Sequence, residues 1–151
     1  MQTSYVLFAD GGATPNPGDG AAAWCIRDAS GNIQEGARFV PDTTNNRMEL
    51  LAVIEGLRRI PVGTSVCICV DSQYVQKGMC EWIHNWKKNF WKTAAKKDVL
   101  NRDLWEQLDA LCNERCVRWH WVKGHSGHPE NERCDALVQE AKKRRQDIGA
   151  G

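Results

Sequence analysis

The stretch Tyr5-Val6-Leu7-Phe8-Ala9-Asp10-Gly11-Gly12 constrains this chain more than any other. Five consecutive apolar residues, Tyr5 to Ala9, run straight into a carboxylate and two glycines. An uninterrupted apolar run bounded by a turn signal reads as a strand buried on both faces, as in the middle of an α/β sheet. A charge inside such a strand would be costly to bury, which places Asp10 at its end. Open α/β sheets gather their ligands at the carboxyl ends of strands. A turn aspartate capping a loop would look the same on this stretch alone. What matters is whether other carboxylates arrive at the same place.

Val66-Cys67-Ile68-Cys69-Val70-Asp71 repeats the pattern: five apolar residues, then a carboxylate, with Ser72 as a helix N-cap. Between the two runs lies a helix. Thr43-Thr44-Asn45-Asn46 is a cluster of capping residues, and Met48, Leu50, Leu51, Val53, Ile54, Leu57 and Ile60 follow at helical spacing until Pro61 and Gly63 stop it. The same-face neighbours of Glu49 are Ala52, Val53 and Gly56, so its carboxylate points toward the sheet. A glutamate snorkelling from the edge of the stripe is the plain alternative. Strand, helix, strand predicts a crossover that sets the first and fourth strands parallel and adjacent, with Asp10 and Asp71 side by side. Two strand-end aspartates and an inward glutamate repel unless cations sit between them, and they are the ligand set of a hard cation such as magnesium.

Along the rest of the chain, Gly11 to Gly20 holds four glycines and two prolines and reads as a loop. Ala21–Ile26 and Ile33–Val40 read as strands that complete an antiparallel meander. Tyr74 to Cys80 reads as a short helix, Leu104 to Cys112 as another, and Val117–Val122 as a fifth strand. Trp82 to Lys97 carries five lysines, no acidic residue and three of the seven tryptophans. Lysines interleaved with aromatics suit a phosphate backbone and the sugars and bases behind it; a charged helix with core tryptophans would show the same composition. Lys123 to His128 reads as a glycine-bearing loop with His125 and His128, and Pro129 opens the last helix, with Asp135 about two turns in.

A length of 151 residues suits a single domain, taken as 1–151. With 20 basic and 19 acidic residues the net charge of +1 decides nothing about a polyanionic partner. Seven cysteines, an odd number, without a charged leader or a membrane-length apolar run, predict a cytoplasmic protein with reduced thiols. Zinc is disfavoured, because no second cysteine pair has ligand spacing.

Asp10-Gly11-Gly12, Thr44-Asn45-Asn46-Arg47-Met48-Glu49-Leu50, Asp71-Ser72-Gln73-Tyr74-Val75 and Trp121-Val122-Lys123-Gly124-His125 resemble the motifs of the type 1 ribonuclease H family, particularly its bacterial members, from about residue 5 to about residue 142. The resemblance implies an α/β fold of the ribonuclease H kind: a five-stranded mixed sheet with helices on both faces. It implies an endonuclease that hydrolyses the RNA strand of RNA–DNA hybrids with two Mg2+ ions, Mn2+ being able to substitute, and leaves 5′-phosphate and 3′-hydroxyl ends. Asp10, Glu49, Asp71 and Asp135 match the metal-binding carboxylates, and His125 the loop histidine that assists turnover. Asn16, Asn45 and Gln73 match positions that read the minor groove of the hybrid. Thr44 and Asn101 match a pocket for a phosphate of the DNA strand. Trp82, Lys87, Lys88 and Trp105 are expected to contact nucleic acid with the basic segment. The family often has serine and cysteine where this chain has Gly12 and Ala13, so those contacts would come from the backbone. A monomer with no membrane and no obligatory protein partner is expected. Two rivals are a non-catalytic hybrid-binding module of similar fold and a nuclease or transposase of the same superfamily acting on DNA.

Overall fold

The computed structural model describes residues 4–122 and 129–149. Its elements are β1 (Ser4–Thr14), β2 (Gly18–Asp28), β3 (Ile33–Thr43), α1 (Asn45–Arg58), β4 (Ser65–Val70), α2 (Gln73–Lys77), a π-helical turn (Gly78–Trp82), α3 (Ile83–Lys88), α4 (Arg102–Asn113), β5 (Cys116–Trp121) and α5 (Pro129–Arg144). The five strands form one sheet in the order β3-β2-β1-β4-β5. The meander β1–β2–β3 is antiparallel, and β1–β4 and β4–β5 are parallel, as the crossover through α1 requires.

Strand alternation divides the core in two. Leu7, Trp24, Ile26, Val66 and Ile68 face the layer of α1 and α4, packing on Leu50, Ile54, Leu57 and Leu108. Phe8, Ala21, Ala23, Cys25 and Cys69 face α5, packing on Cys134, Leu137 and Val138. Helices on both faces of a five-stranded mixed sheet are thus present as expected. Cys25, Cys69 and Cys134 are free thiols in the second layer. Burial pushes Cys25 up to about 11 and Cys69 up to about 12, leaving both as inert packing groups.

Two expectations need correction. The stretch from Gly11 to Gly20 is not a loop: β1 runs on to Thr14, and only residues 15–17 turn. The small residues that suggested a loop pair with small residues opposite, Gly11 with Ala22 and Gly12 with Ala21, and the ladder satisfies their backbone. Asp10 therefore lies within β1, two residues past Phe8, the last β1 residue paired with β4. The helix expected from Tyr74 to Cys80 is α2, which passes through the π-helical turn into α3. Gly78 makes that path possible, since a Cβ there would come within 1.9 Å of the Trp105 ring.

One buried charge went unnoticed in the sequence. Glu55 of α1 is only 6 % exposed and pairs with Arg38 of β3 at 3.1 Å, Arg58 at 3.1 Å and Arg59 at 3.0 Å. The Arg59 guanidinium also stacks over Trp24, 4.0 Å from the ring centroid. This cluster ties the end of α1 to the meander.

Candidate metal centre and nucleic-acid interface

The site begins where α1 meets β1. Gly11 lies so close to the first turn of the helix that a Cβ there would sit 2.3 Å from the Met48 carbonyl oxygen. Only glycine allows that approach. The Gly11 N–H donates to the Glu49 carboxylate, which points the glutamate at Asp10. Asp71 arrives on the residue after β4, the neighbour of β1 in the sheet. The three carboxylates bring one oxygen each within 4.8 Å of one another. Glu49 and Asp10 are half-buried and Asp71 is exposed, so the cluster opens to solvent on the Asp71 side.

Burial drives Glu49 well above the usual carboxylate range, and the charges of Asp10 and Asp71 push it the same way. A carboxylate desolvated in that way either keeps its proton or meets a cation. Three hard oxygen donors, with an exposed edge for water and substrate, fit a divalent ion such as magnesium. Asp135, half-buried on α5, stands outside this trio. Its neighbour Cys134 directs Sγ at the Phe8 carbonyl, 3.5 Å away, which sets that turn of α5 against β1 two residues before Asp10. His125 lies outside the described residues.

Several residues expected to read the substrate also hold the site together. The Asn45 side-chain oxygen accepts from the Ala13 N–H at 2.7 Å, and the Asn16 side-chain oxygen accepts from the Asn45 N–H at 3.1 Å. The start of α1 is thereby stitched to β1 and to the turn after it. Thr44 caps α1 by accepting from the Arg47 N–H. Gln73 is exposed on the first residue of α2. Asn101, in the left-handed region at φ 62°, accepts from Arg47 Nη1 at 3.2 Å and donates to the Tyr74 hydroxyl at 3.0 Å. Arg47 also grips Asp103 with two hydrogen bonds of 3.0 and 2.9 Å and holds that carboxyl below its usual range. Gly11 and Arg47 are the site-building residues that the sequence reading did not single out.

The basic segment is rooted beside the site. Tyr74, three residues after Asp71, stacks on Trp82 and Trp105, and Trp86 stacks on Trp82, Trp91 and Trp105. Trp105 is 0 % exposed and donates its indole N–H to the Tyr74 hydroxyl. It has no surface to offer a nucleic acid; its expected contact is corrected to a packing role. Trp82 keeps 36 % exposure at the rim of the stack. Lys88 is exposed, whereas Lys87 pairs with Asp109 of α4 at 2.8 Å.

A carboxylate trio on a mixed sheet, flanked by a basic aromatic arm, is the architecture of a nucleic-acid hydrolase. The family model described as RNase H matches residues 2–143. The ribonuclease H of Neisseria gonorrhoeae is 53 % identical over 91 % of this chain and 94 % of that protein. The ribonuclease H of Syntrophotalea carbinolica is 50 % identical over 89 % of this chain and 88 % of that protein. Among solved structures, LC9-RNase H1, described as a type 1 RNase H with the type 2 active-site motif, superposes with a TM-score of 0.84 at 28 % identity, covering 100 % of this chain and 79 % of that one. LC11-RNase H1, solved in complex with an RNA/DNA hybrid, shares the fold at a TM-score of 0.72 and 23 % identity, over 93 % of this chain and 98 % of that one. The chain belongs to the RNase H family, and the enzyme is a ribonuclease H hydrolase.

Proposed function

We propose that the protein is an endonuclease that cuts the RNA strand of RNA–DNA hybrids and leaves 5′-phosphate and 3′-hydroxyl ends, working as a single monomeric domain in the cytoplasm. The observation that carries this reading is the convergence of Asp10, Glu49 and Asp71 within 4.8 Å beside a basic arm, in a chain of this family. When bound, two Mg2+ ions, or Mn2+ in their place, supply Lewis-acid activation of the attacking water and stabilisation of the leaving 3′ oxygen. Asp10, Glu49 and Asp71 would hold that charge, with Asp135 of α5 as the proposed fourth ligand. Glu49 would hold the metal as its ionised carboxylate, the cation offsetting the burial that raises its proton affinity. Asn16, Asn45 and Gln73 contact sugars and base edges in the minor groove, where the 2′-hydroxyl distinguishes RNA from DNA. Thr44 and Asn101 take a phosphate of the DNA strand, and Trp82, Lys87 and Lys88 follow its backbone. His125 assists turnover as a proton carrier rather than a ligand. His125→Ala should slow cleavage and leave magnesium affinity nearly intact; loss of metal binding would make it a ligand instead.

The decisive experiment incubates a labelled hybrid and the matching DNA duplex with and without magnesium. Cleavage of the RNA strand only, only with the metal, is expected. Equal cutting of the DNA duplex would favour the DNA-acting rival, and tight binding without cleavage would favour the binding module.

A further inference from the structure

The loop after α3 carries a side chain that the fold does not use. Phe90 is 81 % exposed and sits at φ 55°, a left-handed backbone that bulky residues rarely adopt. The next residue, Trp91, is also left-handed at φ 60°, and its ring lies 6.2 Å from that of Trp86. The loop is well bonded: Trp91 N–H donates to the Trp86 carbonyl at 2.7 Å, Val99 N–H to the Trp91 carbonyl at 3.0 Å, and Thr93 N–H to the Lys97 carbonyl at 2.7 Å. The two left-handed residues thus turn Trp91 into the aromatic stack and leave Phe90 outside. Glycine would hold this turn at less conformational cost, so neither packing nor backbone preference accounts for a phenylalanine. Around it, Lys88, Lys92 and Lys96 line an open depression of about 510 Å³ with Phe90. Lys92 pairs with Asp98 at 2.5 Å, which leaves Lys88 and Lys96 as the cations of that wall with no acidic partner among the described residues.

We propose that Phe90 and its lysines form a stacking seat for an unpaired stretch of nucleic acid that continues from the hybrid, so that the enzyme favours hybrids with a single-stranded extension. An exposed ring flanked by cations accepts bases by stacking and backbone phosphates by charge. Bases inside a duplex are already stacked on both faces and present only their edges, so the ring face selects unpaired ones. The inference rests on the reading of Trp82 to Lys97 as a nucleic-acid-binding arm.

The test measures KM with magnesium at fixed salt on a blunt hybrid, on the same hybrid with about eight unpaired nucleotides on the DNA strand or on the RNA strand, and on one with an abasic extension of equal charge. A nucleobase-bearing extension on at least one strand should lower KM about five-fold or more relative to blunt hybrid, and the abasic extension should give clearly less. The strand that responds identifies the source of the unpaired bases. In Phe90→Ala and Phe90→Gly that ratio should fall to near one, while Phe90→Trp keeps it. Phe90→Gly, which relieves the left-handed backbone, should unfold at no lower urea than the parent. A parental ratio of one, an equal gain from the abasic extension, or a gain that survives in Phe90→Gly overturns the stacking seat. Failure to cut even the blunt hybrid would instead overturn the functional reading beneath it.

Discussion

The carboxylate trio should destabilise the metal-free protein, and Asp71→Asn is the cleanest way to see it. Oxygens of Asp10, Glu49 and Asp71 lie within 4.8 Å of one another. At that separation two unit charges repel by about 0.9 kcal/mol in water and about 3.5 kcal/mol at an effective dielectric near 20. Asp71 is exposed, which places its share toward the low end, about 1–2 kcal/mol. Glu49, with its raised pKa, sheds part of the strain by keeping a proton. The sign follows from proton counting. An unfolded Glu49 ionises near the ordinary value of 4.5, whereas the folded one holds its proton to higher pH. Over that window the native state binds more protons, so this group's contribution makes stability fall as pH rises. Asparagine at 71 removes one cause of the shift and leaves burial, the larger cause, in place. In excess chelator at neutral pH, Asp71→Asn should therefore melt about 2–8 °C higher than the parent and lose less stability between pH 5 and neutrality. Ser72, which caps α2 by accepting from the Val75 N–H, is untouched. Magnesium-dependent cleavage should be abolished. A lower melting temperature, or a pH slope identical to the parent's, would refute the repulsion reasoning; near-parental cleavage would remove Asp71 from the metal site.

Gly11→Ala should cost about 1–3 kcal/mol in urea unfolding and most of the cleavage rate, because the new methyl collides with the Met48 carbonyl and pushes Glu49 away from Asp10; parental activity would show that the contact is dispensable. Lys88→Ala should flatten the log–log salt dependence of hybrid binding by about one unit, and Lys87→Ala by less, because Lys87 is already paired with Asp109. Equal slopes for the two variants would deny that difference. Glu55→Gln strands three arginines around a buried position and should lower stability by about 2–3 kcal/mol, less than a fully buried pair because Arg38 and Arg58 are half exposed, with the KM for hybrid unchanged. A urea midpoint equal to the parent's would count against it.

What could be read from the sequence was whatever one segment decides for itself. An apolar run ending in Asp10 or Asp71 states its burial and its direction, and the helix between them states the crossover, so the trio is legible in the sequence. The continuation of β1 through Gly11 and Gly12 was not, because residues with so little side chain take the conformation of their partner strand, and Ala21 and Ala22 are that partner. Tryptophans defeated the reading for a related reason. Composition cannot separate Trp105, sealed beneath Tyr74 and Trp86, from Trp82 at the rim, since the difference lies in which rings stack. The charge of Lys87 looked free until Asp109, on another helix, closed on it. Glu55 looked like an ordinary polar residue of α1 because one of its three arginines comes from β3.

The carboxylate cluster and the root of the basic arm are joined by very short connections. Arg47, two residues before Glu49, reaches across to Asn101 and Asp103 at the start of α4. Tyr74, three residues after Asp71, accepts from Asn101 and Trp105 with one hydroxyl and stacks on Trp82 with its ring. Two of the three clustered carboxylates are thus each separated by two or three residues from a side chain bound to Asn101. Asn101 holds a left-handed conformation that asparagine tolerates better than most residues, and it spends its amide oxygen on one connection and its amide nitrogen on the other. The carboxylate cluster and the root of the basic arm are therefore both tied to the same residue at the head of α4.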